Sequence, residues 1–306
     1  MTPVTVITGF LGSGKTTLIN ALLRHPDMAG SAVIVNEFGE TGVDHLLIEH
    51  LDETTMLVGA GCLCCEVRED VVLAVMRLTG QHTPNHILIE TSGLADPAPL
   101  VHTLLHDDRI NRQARPAGIV ATVDALAGER PFETQAECLR QTVIADTIIL
   151  TKTDLAPGAD RLEARLRALN EEARILASPV TPDEIVRHVP DLSTWIHARS
   201  STHHDSAIAS LSLTTLKPLE AAPLMDWIER LIACQGDRLL RFKGLVDLLG
   251  SDVPIVINGI GHVFHPLSRL AAWPSGMRGS RIVLIGHHLD TVAIETDFSR
   301  LADARN

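Results

Sequence analysis

"GFLGSGKTT", residues 9–17, decides the fold. It satisfies G-x-x-x-x-G-K-[ST], with Gly9, Gly14, Lys15 and Thr16 at the required places. The apolar run "VTVITG" precedes it and a helix-patterned "TTLINALL" follows, so the stretch reads as strand, phosphate loop and helix N-terminus. The chemistry needs these residue types at this spacing. Glycine freedom lets backbone N–H groups turn inward around phosphate oxygens, and the candidate cradle is Gly9, Gly12, Ser13, Gly14, Lys15, Thr16 and Thr17. The helix dipole adds to it, Lys15 neutralises phosphate charge, and the Thr16 hydroxyl can reach Mg2+.

Outward from the loop, β-branched apolar runs alternate with helical stretches: "SAVIVNEFG", "REDVVLAVMRLTG", "HILIETSG", "AGIVATVD" and "TIILTKTD". Short, nearly all-apolar strands separated by helices predict an α/β fold, a doubly wound, mostly parallel sheet covered on both faces, over residues 1–190. Periodicity lapses around "HARSSTHHDS", so 191–206 is expected to be a linker. Beyond it, "AIASLSLTTL", "PLMDWIERLIAC", "RLLRFKGLVDLL", "PIVINGIGHVF" and "SRIVLIGHHLD" predict a smaller α+β domain, mostly antiparallel, over 207–306. Within it, Trp227, Ile228 and Leu231 have helical spacing and are expected in the core.

Two further strand ends carry candidate chemistry. "ILIETSG" ends in Glu90, three residues before Gly93, where P-loop enzymes place a carboxylate for the magnesium shell and a glycine near the terminal phosphate. The plain alternative is a strand-end carboxylate facing solvent. "IILTKTD" offers Lys152 and Asp154 in the pattern T/N-K-x-D. A carboxylate there can accept from the ring N–H and the exocyclic amine of guanine, and adenine has no matching pair of donors, so GTP is favoured over ATP. Candidate catalytic residues are therefore Lys15, Thr16 and Glu90.

Composition narrows the partners. The chain of 306 residues is 45% hydrophobic with formal net charge −12, enough to bury a sizeable core and unlike the basic stripe that neutralises a nucleic-acid backbone. No stretch approaches the ~20 apolar residues of a membrane span. The N-terminus "MTPVTVITGF" lacks the basic and long apolar regions of a secretory signal, so the expected location is cytoplasmic, with neither nucleic acid nor membrane as partner. Five cysteines in a reducing compartment point to metal or redox chemistry rather than disulfides. Cys138 and Cys234 stand alone; Cys62, Cys64 and Cys65 cluster in "GCLCC".

On "GFLGSGKTTL", "NEFGETGVD", "GCLCC", "ETSGLADPAP", "LTKTDL", "LLRFKGLV" and "SRIVLIG", which occur in order from about residue 4 to 290, the chain resembles the CobW-type GTPases, relatives of the nickel-insertion GTPases. The resemblance implies a GTPase domain plus a smaller C-terminal domain, weak GTP hydrolysis, and binding of Zn2+ or another transition metal for delivery to a client metalloprotein. The sequence departs from the pattern in places. Thr151 stands where asparagine is usual in GTPases, removing one purine contact. Only His197, His203 and His204 remain where many relatives have a long histidine tract, and His287 replaces a frequent arginine.

Thiolates bind Zn2+, and three sulfurs fall one short of a closed tetrahedral site, which suits exchange or transfer. For Cys62, Cys64 and Cys65 the alternatives to metal binding are redox sensing and buried inert thiols. Candidate fourth ligands are Glu37 and Glu40 of "NEFGE", where P-loop GTPases keep a switch segment, or a water; Asp44 belongs to the same stretch. His102 and His106 share a helix face; two exposed histidines on a solvated surface are the preferred reading, and a metal pair is the alternative. His203 and His204 are either an auxiliary metal contact or loop histidines without function. The expectation is a Mg2+-dependent GTPase whose nucleotide state controls a thiolate zinc site. Competing readings are a zinc buffer or sensor in which hydrolysis is incidental, and a small-molecule kinase, which leaves the thiols and Asp154 unexplained.

Overall fold

The computed structural model describes residues 1–36, 55–58, 65–156, 159–186, 203–205, 208–265, 267–273 and 278–303. By its contacts the chain divides into two units, Met1–Arg167 with Glu172–Val189, and Ala168–Glu171 with Pro190–Asn306.

In the first unit the strands are β1 (Thr2–Gly9), β2 (Ala32–Asn36), β3 (Thr55–Val58), β4 (Ile87–Glu90), β5 (Ala114–Asp124), β6 (Thr147–Thr151) and β7 (Arg174–Ala177). The helices are α1 (Lys15–Leu23), α2 (Cys65–Gln81), α3 (Ala98–His106), α4 (Asp108–Asn111), α5 (Arg130–Thr134), α6 (Ala136–Ile144), α7 (Asp160–Leu169) and α8 (Pro182–Val186). All seven strands form one parallel sheet in the order β3-β2-β4-β1-β5-β6-β7. β1 is buried without alternation from Val4 to Gly9 and β4 throughout, as strands covered on both faces must be. On one face Leu18, Ile19 and Leu22 of α1 pack with Ile7, Val33, Val35, Leu88, Val120 and Ile149. Each fully buried aliphatic side chain of this kind contributes about 1.5–3 kcal/mol.

Register matters most for function. Ile7 lies opposite Glu90, Gly9 opposite Thr122, and Asp124 opposite Thr151. Parallel pairing thus collects the carboxyl ends of β1, β4, β5 and β6 at one edge, where open α/β sheets bind ligands.

The second unit contains β8 (His203–Asp205), β9 (Ile208–Thr215), α9 (Ala221–Gln235), β10 (Leu239–Val246), β11 (Ile255–Ile260), β12 (Val263–Phe264), β13 (Ser268–Arg269), β14 (Ser280–His287) and α10 (Thr291–Asp303). Its sheet runs β12-β11-β10-β14-β9-β8, with β13 on β11, and every strand pairing is antiparallel. Trp227, Ile228 and Leu231 are buried as expected, and Trp227 meets Phe298 edge-on with ring centroids 5.5 Å apart. His203–Asp205, read from sequence as linker, pairs with the edge of β9. Edge pairing uses backbone groups and needs no apolar periodicity, so the pattern gives no sign of it. Among the described residues no helix is long and apolar enough to cross a membrane.

Candidate functional site

Local backbone chemistry shapes the phosphate loop. Gly9, Gly12 and Gly14 have φ of 140°, 72° and 93°, values that other residues rarely adopt. A Cβ on Gly9 would also strike Thr122 and come 2.7 Å from Ser13 Oγ. Gly14 is the N-cap of α1, whose first turn has no side-chain cap, contains no acidic residue and begins with a lysine. A cation at a helix N-terminus opposes the helix dipole, and such a local conflict marks function rather than stability.

Lys15 is 9% exposed and its ammonium donates to the carbonyls of Gly9 at 2.9 Å and Phe10 at 3.2 Å. One residue on, Thr16 Oγ1 donates to Glu90 Oε1 at 2.9 Å. The register that sets Glu90 beside β1 therefore brings a hydroxyl and a carboxylate together across 74 residues of chain. Glu90 is 6% exposed, so it is not a solvent-facing strand end. A hydroxyl and a carboxylate are hard oxygen donors, the set that suits Mg2+. Thr17 is exposed at the next position.

Across the sheet edge, Lys152 (φ 56°) lies over the loop, donating to Gly12 O at 2.9 Å and Asp124 Oδ2 at 2.6 Å. Asp124 Oδ1 meanwhile accepts from the backbone N–H of Leu126 and Ala127. Asp154 stands exposed two residues after Lys152. Thr151 is buried, and its hydroxyl lies 2.7 Å from Ser13 O and 3.2 Å from Val123 O, turned to the loop and the neighbouring strand. Ser13 Oγ in turn meets Thr122 Oγ1 at 2.7 Å.

The segment after Glu90 is held from two sides. A Cβ on Gly93 would come 2.7 Å from Leu11 N, so the segment touches the phosphate-loop backbone there. From α6, the Gln141 amide donates to Gly93 O at 3.1 Å and Ala95 O at 3.0 Å. Asp96 accepts from Ala98 N at 2.9 Å and lies 3.7 Å from Arg140. Gln141 and Cys138 also line a cavity of about 50 Å³ beside Phe10, Ser13 and Phe132. Burial raises the Cys138 thiol to about 11, which keeps it protonated and inert.

Lys15, Thr16, Glu90, Ser13 and Lys152 are thus brought together, with Asp154 close in sequence to the last. Glu37, Glu40, Asp44, Cys62, Cys64 and His197 lie outside the described residues; Cys65 opens α2. His102 and His106 share a face of α3 with ring centroids 4.9 Å apart, and among the described residues no group of three or more His, Cys, Asp or Glu is placed to hold a metal. Sequence reading missed Thr122, Asp124 and Gln141. Asp124 had a signal, an acid ending an apolar strand; Gln141, a polar residue inside a helix, had none.

Residues 3–177 match the family model "CobW/HypB/UreG, nucleotide-binding domain", and 208–302 match "Cobalamin synthesis protein cobW C-terminal domain". The chain belongs to the CobW/HypB/UreG family. Among its CobW-type relatives, the zinc chaperone CobW of a Sinorhizobium species is 30% identical, covering 98% of this chain and 97% of its own. The zinc chaperone YjiA of Escherichia coli is 28% identical over 97% and 98%. The crystal structure of Zn(II)-bound YjiA GTPase superposes with a TM-score of 0.75 at 25% identity, covering 98% of each chain.

Proposed function

We propose that this CobW-family chain is a Mg2+-dependent GTPase whose nucleotide state governs a transition-metal site, with zinc as cargo for a client protein. The observation that carries the nucleotide half is the Thr16–Glu90 contact beside Lys15 and the uncapped N-terminus of α1. Phosphates entering the loop would draw the Lys15 ammonium from the carbonyls of Gly9 and Phe10, exchanging two neutral acceptors for charged ones, which are roughly twice as strong. Backbone N–H groups from Gly14 to Thr17 would hold the phosphate oxygens, while that of Ser13 donates to Phe10 O at 3.1 Å within the loop. Thr16 and Glu90 would hold Mg2+, which supplies charge neutralisation to the phosphoryl oxygens when bound. Lys152 stiffens the loop through Gly12 and leaves Asp154 free to accept both guanine donors.

The metal half rests on the thiols Cys62, Cys64 and Cys65, with Glu37 or Glu40 completing the shell, and on the zinc-chaperone names of two relatives that match nearly end to end. "NEFGE" and "GCLCC" both lie in sequence between the phosphate loop and β4, so a rearrangement around the third phosphate can reposition both. The triphosphate form is then expected to hold Zn2+ more tightly by about 5- to 150-fold, and linkage requires zinc to tighten the GTP analogue by the same factor. A zinc competition titration in a non-hydrolysable analogue and in GDP tests this on wild type, Lys15→Ala and Cys64→Ser/Cys65→Ser. Equal zinc affinities in the two nucleotide states of wild type would refute the coupling, and unaltered turnover in folded Lys15→Ala would refute the GTPase assignment.

A further inference from the structure

Gln141 stands apart from everything assigned to nucleotide or metal. It sits on α6, is 1% exposed, and gives both hydrogens of its amide nitrogen to one short segment, at Gly93 O and Ala95 O. Chemistry fixes the orientation of the amide: both neighbours are carbonyl oxygens, so only the NH2 side can face them. At its Cα, Gly93 lies so close to the phosphate loop that a Cβ there would come 2.7 Å from Leu11 N. The segment that follows Glu90 is therefore clamped between the phosphate loop and one side chain of α6. The two bonds satisfy the NH2 group, but Oε1 is buried with no partner among the described residues, so the amide carries a net burial cost that an apolar side chain of the same size would avoid, and what it provides in return is the hold on this segment.

We infer that Gln141 is a positioning residue for the third phosphate: it fixes the Gly93–Ala95 segment at the distance from the phosphate loop at which a triphosphate, but not a diphosphate, is contacted. The inference rests on the GTPase reading above. Gln141 touches neither nucleotide nor reacting atoms; it acts through the backbone of Gly93. Loss of its donors leaves the cradle around the first two phosphates intact and releases the segment that senses the last one. GDP affinity should stay within about twofold, while affinity for a non-hydrolysable GTP analogue and kcat both fall by about tenfold, within the range typical of coupled sites.

The variant is Gln141→Met, which keeps length and volume and removes both donors. A packing role alone predicts equal losses for GDP and for the analogue; the positioning role predicts loss for the analogue only. Wild type is measured alongside. If wild type neither binds nor hydrolyses GTP, the GTPase reading fails and this inference with it. If wild type is active and Gln141→Met matches it in analogue affinity and kcat, or loses both nucleotides equally, the Gln141 assignment alone is overturned. Should the variant not fold, the side-chain amide signal of Gln141 in 15N-labelled wild type decides: a shift between the GDP and analogue states supports the clamp, and an unchanged signal overturns it.

Discussion

Lowering the pH from 7 to 5 should destabilise the nucleotide-binding unit through His86. This residue precedes β4, the strand that ends in Glu90, and is 3% exposed. Its ring meets Thr5 Oγ1 at 2.9 Å through Nε2, while Nδ1 has no partner among the described residues. Burial, assisted by the charge of Arg115, lowers its pKa from 6.5 to about 4. The charged ring carries an N–H on both nitrogens, and the one on Nδ1 has no acceptor among the described residues. Between about 4 and 6.5 the unfolded chain binds a proton that the folded chain refuses. The contribution is therefore complete above 6.5, declines as pH falls through that window, and is gone near 4. About 1.4 kcal/mol per pH unit puts the ceiling at about 3 kcal/mol, of which about 2 is lost by pH 5. Against a typical stability of about 5–15 kcal/mol that is a large share. The comparison is wild type against His86→Gln, which keeps a polar partner for Thr5 and cannot titrate. Urea unfolding followed by far-UV circular dichroism at pH 7, 6 and 5 supplies the slopes. All three tryptophans, Trp195, Trp227 and Trp273, belong to the second unit, so their fluorescence separates its transition from that of the first. The variant should lose about 2 kcal/mol less than wild type over this interval, whatever its stability at pH 7. Parallel pH profiles for the two proteins would refute the reasoning.

Gly93→Ala should lower the melting temperature of the first unit and weaken binding of a GTP analogue, because the new Cβ would meet backbone atoms of Leu11 at 2.7 and 3.0 Å. Overpacking of this kind costs about 1–3 kcal/mol, and unchanged melting would deny the contact. Lys152→Met removes the tether to Gly12 O and leaves the half-buried Asp124 without its cation. Charged hydrogen bonds contribute about 1.5–3 kcal/mol, so GTP and GDP affinity should both drop by about tenfold or more in equilibrium binding, and equal affinity would remove Lys152 from the site. Asp154→Asn should erode the preference for GTP over ATP and raise that for xanthosine nucleotides, measured by competition. If selectivity persists, guanine is read elsewhere.

What the sequence determines by itself is the part written in local pattern. Glycines at 9, 12 and 14 supply the positive φ that the loop needs, the run from Val4 to Gly9 prescribes a strand buried on both faces, and Lys15 and Thr16 follow at fixed spacing. Such features depend on residues within a few positions of one another, so periodicity and turn chemistry suffice to read them, as they do for Trp227 and Ile228 in the second core. Tertiary structure alone decides who faces whom. Ser13 finds Thr122 across 109 residues and Thr151 across 138, and Gln141 finds Gly93 across 48. Those pairings follow from strand order and parallel register, which put β1 between β4 and β5 and align Gly9 with Thr122. No residue-level propensity encodes a register, because it is set by the fit of whole faces against one another. Thr151 shows the difference most plainly. Its sequence position suggests a lost purine contact, and only the packed structure reveals that its buried hydroxyl is turned to the phosphate loop instead.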